Sequence, residues 1–219
     1  GLLELTLSGI GIILGAGIYA LIGKAAGLAG TGVWLSFLLA ALLAAFTGLG
    51  YAEMSSMFPK AGAEYVYTKK SFGKTLAFMV GWMVIFSGVI GASTVSLGFA
   101  GYFSNLFGLP VIPVALALIM ALSLVIFRGI KQSARLAVLF TLIEAAGLIF
   151  IIYIGVPNFG KVDYFQFPSI QGLFSAAALI FFAFIGFEEM VRLSEETRNP
   201  RKNMSHALII AIATTTVIY

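Results

Sequence analysis

The chain has 219 residues, of which 60% are hydrophobic and only 10% charged; soluble domains carry about 25% charged residues, so most of this surface must face lipid or protein. Cysteine is absent, with a single histidine (His206) and a single aspartate (Asp163), which excludes disulfides, Cys/His metal sites, thiol chemistry and a Ser-His-Asp triad. The net charge of +4 would suit nucleic acid, but the placement of the basic residues has another explanation.

Six apolar stretches can cross a bilayer, near 5–23, 32–52, 75–103, 111–127, 136–156 and 172–191, and a seventh starts at 207. Open strand edges cannot be satisfied in hydrocarbon, so all are predicted as helices and the chain as an all-α membrane protein. Turns at 24–31, 53–74, 104–110, 128–135, 157–171 and 192–206 separate them. The first apolar run is long and followed by further spans, unlike a secretory leader. A start at Gly1 and a stop at Tyr219 inside an apolar stretch read as a piece of a longer protein, whose missing C-terminal helices would be partners of these. Lys60, Lys69, Lys70 and Lys74 follow span two, Arg128, Lys131 and Arg135 span four, and Arg192, Arg198, Arg201 and Lys202 span six; only Lys24 and Lys161 fall on the other side. By the positive-inside rule those three loops and the N-terminus are cytoplasmic, in a multi-pass protein of the cytoplasmic membrane. The basic excess then needs no nucleic-acid partner.

Span one carries glycines at 9, 11, 15 and 17. Gly11 and Gly15 form a GxxxG, as do Gly23 and Gly27, which suits close helix packing. Gly15 and Gly17 lie on different helix faces, and a local break there is the other reading. Span six places Gly186 and Glu188 in the aromatic stretch Phe181-Phe-Ala-Phe-Ile-Gly-Phe-Glu188. Gly-interrupted helices at corresponding places of two inverted repeats point to a midplane binding site. Half-helix N-termini offer N–H groups to a carboxylate, and unwound carbonyls accept from an ammonium group. An α-amino acid carries both charges on one carbon.

At Gly11-Ile-Ile-Leu-Gly-Ala-Gly-Ile-Tyr19, at the run from Tyr51-Ala-Glu-Met through Phe-Pro-Lys-Ala-Gly-Ala-Glu-Tyr65, and at Phe182-Ala-Phe-Ile-Gly-Phe-Glu188 leading into Glu195-Glu-Thr-Arg-Asn-Pro200, the chain resembles the amino acid/polyamine/organocation superfamily of permeases. The resemblance implies a LeuT-type bundle of two inverted five-helix repeats, with residues 1–156 as the first repeat and 157–219 as the opening of the second, helices one and six interrupted. It further implies that Ala16, Gly17 and Ile18 present N–H groups to the substrate carboxylate, that carbonyls of Ile13, Phe182 and Ile185 take the amine, and that Phe182 closes over the substrate. A helix-three face near Ala92 and Ser93 would border the side chain. The helix breaks would sit at Gly15, Gly17 and Gly186. Some proton-linked relatives carry a lysine where this chain has Glu144, so their coupling mechanism does not carry over.

An ionised carboxylate at mid-span costs at least about 2.5–3.5 kcal/mol, which makes Glu144 a coupling candidate against the alternative of a protonated, structural group. Glu188 matches a position to which relatives' proton coupling is assigned, or else it reaches interfacial water. Glu189 pairs most simply with Arg192, and Glu53 anchors a loop or gate. The expected function is alternating-access transport of an α-amino acid, with a neutral one favoured, coupled to H+ or Na+ or run as exchange, without another cofactor. A receptor using the same site is the alternative. No GxxxxGK[ST] motif supports ATP-driven transport, and no span carries a His/Asp, Cys/His or metal-ligand cluster of an enzyme.

Overall fold

Apolar runs of the lengths above leave the backbone no partner but itself in lipid, and helices form wherever they occur. The computed structural model describes residues 1–15 and 17–219, the side chains of 130–135 excepted. In chain order the helices are α1 (Leu2–Ile13), α2 (Gly17–Ala29), α3 (Val33–Met57), α4 (Ala63–Phe72), α5 (Lys74–Phe107), α6 (Val111–Phe127), α7 (Ile130–Gly155), α8 (Ile170–Phe184), α9 (Phe187–Arg192) and α10 (Pro200–Ile218). All regular structure among the described residues is helical.

Four segments are long and apolar enough to cross a membrane, Gly17–Met57, Lys74–Phe107, Leu136–Asn158 and Ile170–Glu196, and α1 and α6 are shorter apolar helices. The lower number than the six predicted spans has local causes. The first span is divided between α1 and α2, α2 runs almost directly into α3, and α6 has only 17 residues. Two expectations are corrected. The turn predicted over 53–74 contains α4, with Glu64 in its first turn and Lys69 and Lys70 in its last, charges that complement the helix dipole. The last helix begins at Pro200 rather than 207, because proline's fixed φ suits the first helical position and its missing N–H is an orphan there anyway.

The turns alternate between two ends of the bundle. At one end Thr31 Oγ1 reaches the carbonyls of Asp163 and Gln166, and Trp34 Nε1 donates to the Tyr164 carbonyl at 2.8 Å. At the other, Lys60 lies 3.5 Å from Glu195, and Ser205 Oγ donates to the Ala52 carbonyl at 2.9 Å. The turns after spans one and five thus share one end, and those after spans two and six share the other.

The core lies mainly among α1–α3 and α8–α10, and its buried residues are mostly Ala, Leu and Ile. Small residues let these helices approach closely, since lipid supplies no hydrophobic drive between them. Gly48 on α3 faces Leu208 and Ile212 of α10 at van der Waals range, and a Cβ there would collide with both. Gly48→Leu is therefore expected to destabilise the full-length protein by about 1–3 kcal/mol through overpacking, in thermal unfolding in detergent. A Leu variant as stable as wild type would contradict this α3–α10 packing.

Candidate functional site

Helix α1 ends when Leu14 adopts φ −67°, ψ 65° and the Gly15 N–H turns back to the Ile13 carbonyl at 2.7 Å. That is an inverse γ-turn, with the ladder abandoned for a two-residue closure. Helix α2 then starts at Gly17. Of the intervening residues, Ala16 lies outside the described residues. In α8 the helix ends at Phe184, Ile185 is extended, and Gly186 has φ +141°, a region that favours glycine. Gly186 also has no room for a side chain, since a Cβ would stand 2.9 Å from the Ile12 carbonyl. At Gly17 a Cβ would stand 3.0 Å from the Ala183 Cα. Each break thus presses its backbone against the other helix.

Breaking two helices leaves orphan polar groups, and their partners are specific. The Gly186 N–H donates to Glu188 Oε2 at 2.8 Å. The Tyr219 hydroxyl donates to the Ile13 carbonyl at 2.8 Å, with the Ala183 carbonyl 3.2 Å away. The Tyr219 ring packs edge-on to Phe184 at 5.3 Å and to Phe37 at 6.2 Å. One side chain from α10 therefore ties the end of α1 to the last turn of α8. The α2 part of helix one is held separately. Tyr19 Oη donates to the Glu144 carbonyl at 2.6 Å, in the space left by Gly147, and Tyr102 Oη donates to the Tyr19 carbonyl at 2.6 Å.

A cavity of about 680 Å³ opens between the breaks and α5, lined among others by Ile12, Gly15, Gly17, Phe182, Ile185 and Gly186. Its volume lies within the roughly 300–1,000 Å³ range of small-molecule sites. Of the residues singled out from the sequence, Gly15, Gly17, Phe182, Ile185, Gly186 and Glu188 line it. Ile18 is buried at the start of α2 and outside the lining, and Ile13 is fully buried with its carbonyl already accepting from Gly15 and Tyr219. Ala92 and Ser93 are exposed on α5 and do not line the cavity; the face that does carries Val84, Gly88, Gly91 and Val95. Glu144 is half-buried on α7 and also outside the lining.

One end of the cavity is acidic. Glu64 accepts from the Tyr51 hydroxyl at 3.0 Å, and the Tyr51 ring packs edge-on to Phe187 at 5.5 Å. Glu189 pairs with Arg192 at 2.8 Å, as predicted from their spacing. On α4, burial and then the Glu64 charge push the Tyr67 hydroxyl up to about 12. No group of three or more His, Cys, Asp or Glu that could hold a metal occurs among the described residues.

An amino acid permease family profile matches residues 1–219, the whole chain. The chain belongs to the amino acid permease family. The permease is 35% identical to the branched-chain amino acid permease BcaP of Bacillus subtilis (strain 168), over all of this chain and 52% of that protein. It is 34% identical to a methylthioribose transporter of the same organism, over 99% of this chain and 52% of the other. A vacuolar cationic amino acid transporter 4 of Arabidopsis thaliana is 30% identical, over 99% of this chain and 40% of the other. The chain spans about half the length of the curated relatives it matches. The permease is thus a multi-pass membrane protein of a transport family, not an enzyme.

Tyr219 is the group in the permease that sequence reasoning missed. Its two acceptors lie 206 and 36 residues away, so no local pattern could mark it. Tyr219→Phe should keep the ring packing and cost about 1 kcal/mol, whereas Tyr219→Ala should cost about 3–5 kcal/mol, both read by thermal unfolding of the full-length permease. A Phe variant as stable as wild type would contradict the bridge.

Proposed function

We propose that the full-length permease carries an α-amino acid across the cytoplasmic membrane by alternating access, with its N-terminus inside. The observation that supports this most is the meeting of two helix breaks on one cavity, with Gly186 against the Ile12 backbone. The free N–H groups at the start of α2, from Gly17 and Ile18, would face the substrate carboxylate, with the positive end of the helix dipole behind them. Ala16 would join them. Carbonyls of Phe182 and Ile185 would take the amine, and the Phe182 ring would cover the substrate. The Ile13 carbonyl would join only after the Tyr219 hydroxyl lets it go. The fold that goes with this reading is a LeuT-type bundle of inverted repeats, 1–156 and the opening of a second from 157, completed by helices beyond Tyr219.

For coupling we propose a proton or sodium ion, with Glu144 and Glu188 as the carboxylates that would respond to it. Glu144 sits on α7 beside the Tyr19 latch on helix one, and Glu188 caps the break in helix six. Either placement would let a change of charge alter how one half-helix is held.

The test is uptake by the full-length permease in proteoliposomes, with competition by amino acids and by methylthioribose, the named cargo of one relative. Leucine uptake blocked by other α-amino acids and indifferent to methylthioribose is the expected result. Competition by methylthioribose alone would overturn the amino acid assignment. For coupling, Glu144→Gln should abolish gradient-driven accumulation while leaving counterflow within about 3-fold of wild type, as expected when binding survives and only the driving ion is uncoupled. Wild-type accumulation in the Gln variant would remove Glu144 from coupling.

A further inference from the structure

Helix α2 is held on two faces by contacts of different kinds. Toward α8 the fit is backbone against backbone. Gly17 lies on Ala183, a Cβ at Gly172 would collide with the Leu28 carbonyl, and Ala25 and Ala29 are fully buried. Toward α5 and α7 the side-chain hydrogen bonds among the described residues are two, both from tyrosine hydroxyls. Tyr19 Oη donates to the Glu144 carbonyl of α7, and Tyr102 Oη of α5 donates to the Tyr19 carbonyl, each at 2.6 Å.

Both acceptors lie inside helices, where each carbonyl already takes part in its own ladder. A carbonyl has two lone pairs, so each hydroxyl occupies the second and can leave without opening either ladder. Two glycines shape the seat. Gly147, three positions after Glu144, leaves the space that the Tyr19 hydroxyl fills, since a Cβ there would stand 2.6 Å from Oη. Gly98, one turn before Tyr102, does the same for Ala20, whose Cβ would stand 2.9 Å from an added one. Glycine inside a helix weakens it relative to alanine, and at these two positions the space is taken up by α2 itself.

We infer that the Tyr19 and Tyr102 hydroxyls, seated on Gly147 and Gly98, form a latch that is made and broken in each transport cycle. A helix packed through its backbone on one face and through two directional bonds on another parts at the second, so α2 stays with α8 and separates from α5 and α7. Tyr19 lies in the same turn as Gly17 and Ile18, which makes both tyrosines positioning residues for the proposed carboxylate site. The inference rests on the transport reading above and adds the contact that must open.

The experiment places cysteines at Ala20 and Gly98 of the full-length permease, with any cysteine beyond Tyr219 replaced by alanine. The 2.9 Å separation is slightly inside the roughly 3.5–4.5 Å between Cβ atoms of a disulfide, so a small outward shift closes the bond. Oxidation with copper phenanthroline should lower leucine counterflow in proteoliposomes by about 10-fold or more, as a lock on one state does. Dithiothreitol should restore it, and neither single cysteine should respond. Without the cysteines, Tyr19→Phe and Tyr102→Phe should each change the maximal counterflow rate by about 2- to 10-fold, the effect of one hydrogen bond. Ser36→Ala loses a hydroxyl-to-carbonyl bond between α3 and α8; it should lower the thermal unfolding midpoint and leave the rate within about 2-fold. Full counterflow by the cross-linked pair would show α2 docked throughout the cycle and overturn the inference. So would a pair that does not cross-link, wild-type rates in both Phe variants, or an equal rate change in Ser36→Ala. A wild type that takes up none of the common amino acids would overturn the transport reading itself, whereas cross-linking reports the docked geometry without any transport.

Discussion

In hydrocarbon a backbone N–H or C=O without a partner costs several kcal/mol, and this constraint governs how helices one and six can be broken at all. The structure meets it by bringing the two breaks together and assigning partners to the exposed groups. Gly15 N–H closes on Ile13, Gly186 N–H on Glu188, and the Tyr219 hydroxyl serves the end of α1 within reach of α8. The glycines that make the crossing possible are sterically committed: Gly186 lies under the Ile12 carbonyl and Gly17 against Ala183.

That arrangement divides the carbonyls and amides into two groups with different uses. Those held by Tyr219 and Glu188 maintain the shape of the break, and those at the start of α2 are the groups the transport proposal assigns to a ligand. The α2 half of helix one is tied to α5 and α7 by the tyrosine pair Tyr19 and Tyr102, while its α1 half is held to α8 by Tyr219 at the end of α10. Two separately anchored halves are what the proposed alternating access needs, since hinge motion of packed elements is a recurring means of switching access to a site.

The sequence made the broken helices legible because glycine density and a mid-span Gly186 are local signals. The α6 boundaries are equally legible, since a proline and a basic residue bracket an uninterrupted apolar run. Helix α4 was hidden because its composition is that of a polar turn, and its helicity follows from docking Ala63 and Tyr67 against the bundle. On α5 the cavity lining includes Gly91 and Val95, one to three positions from the expected Ala92 and Ser93. On a helix with 3.6 residues per turn one position rotates a side chain by about 100°, and nothing in an apolar sequence distinguishes a face toward a cavity from one toward lipid. Tyr219 belongs to a third class, in which the partners are distant in sequence and are backbone atoms. No residue pattern encodes such a contact.

On the proposed transport mechanism, one ligand engages both breaks at once. Hydrogen exchange of the full-length permease with and without saturating leucine tests it directly. Slower exchange at the amides of residues 15–19 together with 185–188, and little change along α6, is the expected result. Protection at one break alone, or at neither while leucine is still transported, would contradict it.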